Sequence, residues 1–479
     1  MDLSKGKQLI EGPLKLVGLG IESIVEGAKA AGANVVEVTF QPPAGGDATR
    51  MRALAKLFEP PLAEKIDAAN QIALERLLES RPTLVGVGVA REVIPGMSDD
   101  LILHAGPPIT WERMAGPLRG AIIGGLIYEG KATTPEEAEA LAASGKIRFD
   151  PCHHHHAVGP MAGVVTASMP VWIVEDMAGA NAGNRTYCTL NEGLGKVLRF
   201  GAYNDEVVTR LKFIERTLGP VLGRTMAGRG PIDLKMIMAQ ALQMGDEGHN
   251  RNRAGTSLLF RELAPAMVRF GGEAEDVAKC LDFISKNDHF ILNLTMPMAK
   301  CMLMATEGIA HATVLSVMAR NGTDFGIQVA SMPGRWFTGP AQLIRGLYFP
   351  GFTDEHANPD IGDSAITETA GFGAFCMAAA PAIVQFVGGT VNDALKNSRQ
   401  MGRITVGKNS LFQIPALGFE GSPTGIDVRL VEEKNQLPVI NTGIAHKAAG
   451  VGQVGAGLVS PPWECFHQAL TAIVEQENA

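Results

Sequence analysis

Short apolar stretches alternate with amphipathic ones over the first 115 residues, and glycine or proline closes each of them. No other feature constrains the fold as tightly, because neither a strand nor a helix runs through such punctuation. Residues 34–40 are rich in β-branched side chains and read as a strand. They stop at Gln41-Pro42-Pro43-Ala44-Gly45-Gly46-Asp47, which reads as a loop. Residues 61–79 predict a helix, since Leu62, Ile66, Ala69, Ala73 and Leu77 share one face and the charged residues the other. Residues 83–89 predict a buried strand closed by Ile94-Pro95-Gly96-Met97, and residues 101–104 another that ends at Gly106-Pro107-Pro108. This spacing predicts a mixed α/β (α+β) chain whose N-terminal domain is an open, parallel-type sheet with a cleft at the strand ends.

Four sections follow from the pattern. Residues 1–115 are an N-terminal α/β domain, and residues 116–205 a second αβ section holding a histidine cluster. Residues 206–320 are an inserted helical domain, and residues 321–479 a Gly/Pro-rich mixed region. Thr134-Pro135-Glu136-Glu137 opens a helix. Residues 231–244 predict a helix with Pro231 in its first turn and Gly245 as its stop, and Thr256 or Ser257 is expected to cap the next one. Further helices are expected at 273–285 and 466–476. Residues 370–387 are almost wholly apolar but short, and Gly371, Gly373 and Pro381 interrupt them. They read as a buried helix kinked or ended by Pro381, not as a bilayer span.

Composition excludes some function classes. A net charge of -8 offers no basic field to neutralise phosphates, so nucleic acid is not an expected partner. The six cysteines are scattered without a CxxC pair, which argues against a disulfide framework or zinc ribbon. Met1 to Gly6 begin no signal-peptide hydrophobic region, so a cytoplasmic protein with reduced thiols is expected. Gly86-Val87-Gly88 is a weak candidate for a phosphate loop, lacking the third glycine in register. No GxSxG, HExxH, Walker or kinase pattern is present.

Chemistry is concentrated in polar strings set among apolar surroundings. The densest is Cys152-His153-His154-His155-His156, in the interior of the chain. Imidazole moves protons near neutrality and binds metals. His153 and His155 would share one face of a strand, and a metal there would need a third ligand such as His249 or His289. The alternative is a solvent-facing polar loop. In the second string Arg185 suits a carboxylate or phosphate, while Asn191 and Glu192 lead into a glycine turn. His249-Asn250-Arg251-Asn252 lines an anion pocket or caps neighbouring helices. In Asn287-Asp288-His289 the histidine is the useful group, oriented by some other carboxylate. The string holding Asp363, Ser364, Thr367, Glu368 and Thr369 puts small donors, its hydroxyls and backbone N–H groups, just before an apolar run, and His446 and Lys447 place positive charge beside glycine-rich backbone. From these strings, His153, His155, Glu192 and His289 are the candidate catalytic residues. Arg185, Asn191, His249, Asn250, Arg251, Asp363, Ser364, Thr367, Glu368, Thr369, His446 and Lys447 are the candidate anion-binding ones. Whether a metal binds stays open.

Several long strings together carry a resemblance. His104-Ala105-Gly106-Pro107-Pro108-Ile109-Thr110-Trp111-Glu112-Arg113, Ala157-Val158-Gly159-Pro160-Met161-Ala162-Gly163, Tyr187-Cys188-Thr189-Leu190-Asn191-Glu192-Gly193, Gly362-Asp363-Ser364-Ala365-Ile366-Thr367-Glu368-Thr369 and Asn441-Thr442-Gly443-Ile444-Ala445-His446-Lys447 resemble the YlbE-like family, which includes AllG-type subunits of oxamate carbamoyltransferase. The resemblance runs from about residue 30 to the C-terminus. It implies a transferase subunit, working with an FdrA-like subunit and a third small subunit. The implied reaction is oxalurate plus phosphate giving oxamate plus carbamoyl phosphate, in anaerobic allantoin and purine degradation. Both substrates are small anions, and no cofactor is required. Two other classes remain open: a component of an acyl-CoA or acyl-phosphate ligase acting on another carboxylic acid, and a non-catalytic scaffold. A homo-oligomer is compatible with all three.

Overall fold

In the computed structural model, which describes residues 15–19, 22–38 and 42–478, the apolar and amphipathic stretches form a mixed αβ fold. Strand β1 (Lys15–Leu19) pairs in parallel with β2 (Asn34–Val38) across the helix Glu22–Ala30. The rest of the expected strand at 39–40, Gln41 of the loop, and the N-terminal Met1 to Gly6 lie outside the described residues. The helix Leu62–Glu79 buries Ile66, Ala69, Ala73 and Leu77, the face its spacing predicts. The helix Pro135–Ala143 starts at the Thr134 cap, whose hydroxyl accepts the Glu137 N–H.

The N-terminal sheet differs from the open parallel form expected of it. Strands β3 (Pro82–Val89), β4 (Leu101–His104), β5 (Arg148–Pro151), β6 (Pro170–Asp176), β7 (Arg185–Thr189) and β8 (Ile232–Asp233) form two sheets. One has the order β7-β6-β3-β8 and is antiparallel throughout. The other is the parallel pair β4-β5. Spacing along the chain showed that β3 and β4 exist but not which strand each pairs with, and β3 takes its neighbours from β6 and β8. Gly86-Val87-Gly88 lies inside β3. A Cβ on Gly88 would come within 2.6 Å of Val93, so that glycine serves close packing and not a phosphate loop.

Beyond residue 310, β9 (Leu315–Asn321), β10 (Asp324–Val329), β11 (Phe337–Pro340) and β13 (Ile361–Gly362) form an antiparallel sheet of order β11-β10-β9-β13. Strand β12 (Arg345–Tyr348) joins β16 (Ile440–Ala445) and β17 (Gln453–Val459), and β14 (Thr405–Ile414) forms a hairpin with β15 (Glu420–Ile426). The helix Leu292–Met304 is mostly apolar and every residue of it is buried, its Asn293 and Lys300 bonded to the Thr189 carbonyl and Glu307. It runs through the largest core, where Trp172 meets Phe290 edge-on at 5.8 Å.

Three helix boundaries depart from expectation. The helix expected at 231–244 begins at Leu234, with Asp233 as its cap, because residues 232–233 pair with β3. The next helix, Arg253–Phe270, starts before Thr256, whose hydroxyl donates instead to the Asp288 carbonyl at 3.0 Å. Residues 370–387 form no continuous helix. Gly371 (φ +97°) and Gly373 (φ +58°) break it at the start, and only the turns Gly373–Ala379 and Pro381–Ile383 and the single turn Val384–Val387 remain. Among the described residues no helix is long and apolar enough to cross a membrane.

Candidate functional site

Stretches far apart in sequence meet around a recess of about 20 Å³. Its polar lining is Arg199, His249, Asn250, His289, Ser364 and Gln453; Met161, Leu194, Phe200 and Leu292 supply apolar wall. The floor is assembled by close backbone approach. Gly362 sits at φ +126°, and a Cβ there would lie 2.6 Å from the Met161 nitrogen. Asp363 then accepts the Gly106 N–H at 2.8 Å and the Gly159 N–H at 3.0 Å, tying three loops together. Behind it, the fully buried Arg320 forks onto Asp360 at 2.7 and 2.8 Å and donates to the Gly362 carbonyl and the Thr442 hydroxyl.

Two histidines face the recess with different support. His249 donates Nδ1–H to both oxygens of Glu368 at 2.9 Å, and Nε2 takes no hydrogen bond among the described residues. Glu368 is fully buried on the short helix Ile366–Thr369, where it also accepts from Ala374 N, Asn441 N and the Thr367 hydroxyl. A carboxylate so held fixes the ring and its tautomer, leaving Nε2 as the working atom. Glu247 lies close by, accepting from Arg251 N at 2.5 Å and Asn441 Nδ2 at 3.0 Å, and burial pushes its carboxyl up to about 7. His289 has no such carboxylate. Burial brings it down to about 3, so it is a neutral imidazole, and its Nδ1 is buried without a partner. Asn250 Nδ2 and Gln453 Oε1 are likewise buried and unpaired, so donors and an acceptor are left unsatisfied around one small space.

The cation of the site is Arg199. It is 6% exposed, and no carboxylate among the described residues comes within ion-pair distance of its guanidinium. Nε and Nη2 both donate to the Gly193 carbonyl, at 3.2 and 2.6 Å, and the group lies 5.0 Å from the Phe200 ring. Burial lowers its pKa to about 10. The buried Glu192 carboxylate partly offsets that charge from beyond ion-pair distance, and an incoming anion in direct contact with the guanidinium would compensate it further.

The structure brings some expected residues to this recess and sends others elsewhere. His249, Asn250, His289 and Ser364 line it, and Glu368, Thr367 and Asp363 stand directly behind. Thr369 closes an internal bond to the Ala365 carbonyl. Glu192 acts on the backbone, accepting Leu198 N at 2.7 Å and Arg199 N at 3.2 Å, and so it positions the arginine. Burial raises its carboxyl. Asn191 is buried in an amide network with Asn293 and Asn287. Arg185 points outward from β7, paired with Glu175 at 2.7 Å. Arg251 is exposed and bonds the Gly245 carbonyl. His446 accepts the Ala448 N–H, and Lys447 is exposed.

The histidine run does not form the shared face expected of it. Residues 152–155 make a 3-10 turn, which points successive rings apart. His153 is buried 3.4 Å from Asp363, and burial lowers its pKa. His155 faces the Pro95 carbonyl and Asp150, and His154 bridges Asp150 and Trp336. Neither joins His249 or His289. Among the described residues no group of three His, Cys, Asp or Glu side chains is placed to hold a metal ion.

Arg199 and Gln453 are the polar lining residues that reading the sequence missed. A signal existed for the arginine: Val197-Leu198-Arg199-Phe200 carries one charge among apolar neighbours, the pattern of a buried ion awaiting a partner.

Similarity to known proteins fits this geometry. The pattern described as "Oxamate carbamoyltransferase subunit AllG" matches residues 147–364, which include Arg199, His249, His289 and Ser364. The AllG subunit of Escherichia coli K12 is 45% identical over 411 residues, 85% of this chain and 97% of that one. The chain belongs to the AllG family. Escherichia coli K12 also holds YahG, 47% identical to this AllG-family chain over 470 residues, 98% of this chain and 99% of YahG. A crystal structure of a conserved protein of unknown function from Enterococcus faecalis V583 superposes with a TM-score of 0.85 at 48% identity, covering 87% of this chain and all of the other.

Proposed function

We propose that this AllG-family chain is a carbamoyltransferase subunit whose recess handles the transfer between oxalurate and phosphate, giving oxamate and carbamoyl phosphate in either direction. One observation carries the reading: Arg199 is a buried guanidinium with no carboxylate partner, set beside a histidine that a buried glutamate orients. In the forward direction a phosphate oxygen attacks the carbamoyl carbon, a C–O bond forms, and the C–N bond to oxamate breaks. The proton lost by phosphate reaches the oxamate nitrogen through His249 Nε2, while Glu368 holds Nδ1. Arg199 takes the oxamate carboxylate. Asn250 Nδ2 and the Ser364 hydroxyl are donors for the oxygen that gains charge in the tetrahedral state, each worth about 2.7–4 kcal/mol when well placed. Charge stabilisation in this scheme comes from side chains, so it requires no cofactor.

We extend the proposal to a cytoplasmic complex with an FdrA-like subunit and a third small subunit, in allantoin and purine degradation, within the wider YlbE-like kinship. The AllG relative is itself a subunit by name. The test is phosphate-dependent breakdown of oxalurate by the assembled subunits, with and without Arg199→Met. The expected result is loss of turnover and of thermal stabilisation by oxamate in the variant. Turnover unchanged in Arg199→Met overturns the reading. Exchange of phosphate into an acyl phosphate without carbamoyl turnover points instead to a ligase component.

A further inference from the structure

The recess is narrow in the state described. Its volume, about 20 Å³, admits the centre of roughly one water molecule, and oxamate or phosphate is far larger. Leu194, flanked by Gly193 and Gly195, contributes to its wall. Leu194 lines the recess and yet is 45% exposed, so its side chain stands between that space and solvent. Both flanking glycines have positive φ, +100° and +82°, and a Cβ on either would meet nothing within 4 Å. No side chain crowds either glycine, although the Gly195 carbonyl lies against Gly452, where an added Cβ would come within 2.7 Å of its oxygen. Three contacts hold the segment: Asn191 Oδ1 accepts the Gly193 N–H at 2.9 Å, Gln453 N–H reaches the Gly195 carbonyl at 3.4 Å, and Arg199 grips the Gly193 carbonyl with two donors. The last is the shortest, at 2.6 Å for Nη2.

We propose that Gly193-Leu194-Gly195 is a lid latched by Arg199, and that a small oxyanion opens it by displacing the Gly193 carbonyl from the guanidinium. Nε and Nη2 are the two nitrogens that a carboxylate would take in a parallel pair of hydrogen bonds. In the closed state a single carbonyl oxygen occupies both. A carbonyl carries only a partial negative charge, so an oxyanion outcompetes it in a buried site. Once the carbonyl is released, Leu194 swings out and the recess gains the volume the anion needs. Arg199 is thus a specificity-determining residue as well as a binding one, since a neutral molecule of the same size leaves the latch shut. The inference rests on the recess being the anion site.

The six native cysteines are all buried, so a thiol introduced at the lid reports alone. The full chain carrying Leu194→Cys is treated with a thiol-reactive dye with and without sodium oxamate, beside a thermal melt of the wild type under the same additions. Oxamide, the neutral analogue, is the control. Oxamate is expected to raise the labelling rate about twofold, the ratio of full exposure to the 45% of the closed lid, and oxamide to leave it unchanged. In Leu194→Cys with Arg199→Met, labelling is fast from the start and indifferent to oxamate. If oxamate raises the wild-type melting temperature but leaves the labelling rate unchanged or lowers it, the lid is refuted and the recess stands. If oxamate neither stabilises the wild type nor changes labelling, both fall.

Discussion

Glu368→Gln separates orientation of the histidine from everything else the carboxylate does. Glu368 Oε1 accepts His249 Nδ1, Ala374 N and Asn441 N at 2.9, 3.0 and 3.2 Å, while Oε2 accepts the Thr367 hydroxyl at 3.0 Å and the second His249 contact. A glutamine therefore fits with its carbonyl in the Oε1 position and its amide toward Thr367, whose oxygen can accept. The backbone bonds survive, and the loss is charge assistance on the histidine, about 1–1.5 kcal/mol. Without an anion at Nδ1, the ring no longer stabilises the proton it must carry, which removes general acid–base help of about 10²–10⁴-fold. KM for oxalurate should hold within a few-fold, because Arg199 is untouched. The measurement is steady-state turnover by the assembled subunits, with a thermal melt of the variant chain to show that it is folded. A folded Glu368→Gln chain with kcat within about twofold of the wild type would refute the role given to His249.

Glu247 and His289 give the protein opposite pH dependences. The Glu247 carboxyl, raised to about 7 by burial, keeps its proton in the fold after the unfolded chain has lost it. Its contribution is whole below about 4.5 and lost as pH rises through 7. Glu247→Gln should flatten melting temperature against pH over that window and gain up to ~3 kcal/mol over the wild type at pH 8; parallel curves would contradict it. His289, lowered to about 3, is neutral in the fold, so its contribution is whole above about 6.5 and is lost as pH falls toward 3. A His289→Asn chain should resist acid better than the wild type in urea melts at pH 5. Arg185→Ala should change stability by less than ~1 kcal/mol and leave turnover intact, because the Arg185–Glu175 pair sits at the surface and away from the recess.

Local patterns were legible where one face of an element had to be buried. The helix Leu62–Glu79 follows directly from the spacing of its apolar residues, and the terminal helix expected at 466–476 extends over Trp463–Asn478. The polar strings that converge, around His249, His289 and Ser364, were visible as polar islands in apolar surroundings. Arg185, His154 and His155 looked just as promising and lead away from the recess, while His153 reaches only Asp363 behind it. A string shows which chemistry is available but not the direction in which the backbone turns it. His153 and His155 share a face only if residues 152–155 are extended, and a 3-10 turn separates them.

Residue order settles the elements, because propensity, period and punctuation act over a few neighbours and need no distant partner. Which strand β3 pairs with, which carboxylate meets His249, and that no carboxylate lies within ion-pair distance of Arg199 were decided only when segments eighty or more residues apart packed together. Such contacts depend on how buried faces and glycine-permitted close approaches fit across the whole molecule, and no window of the chain encodes that fit by itself.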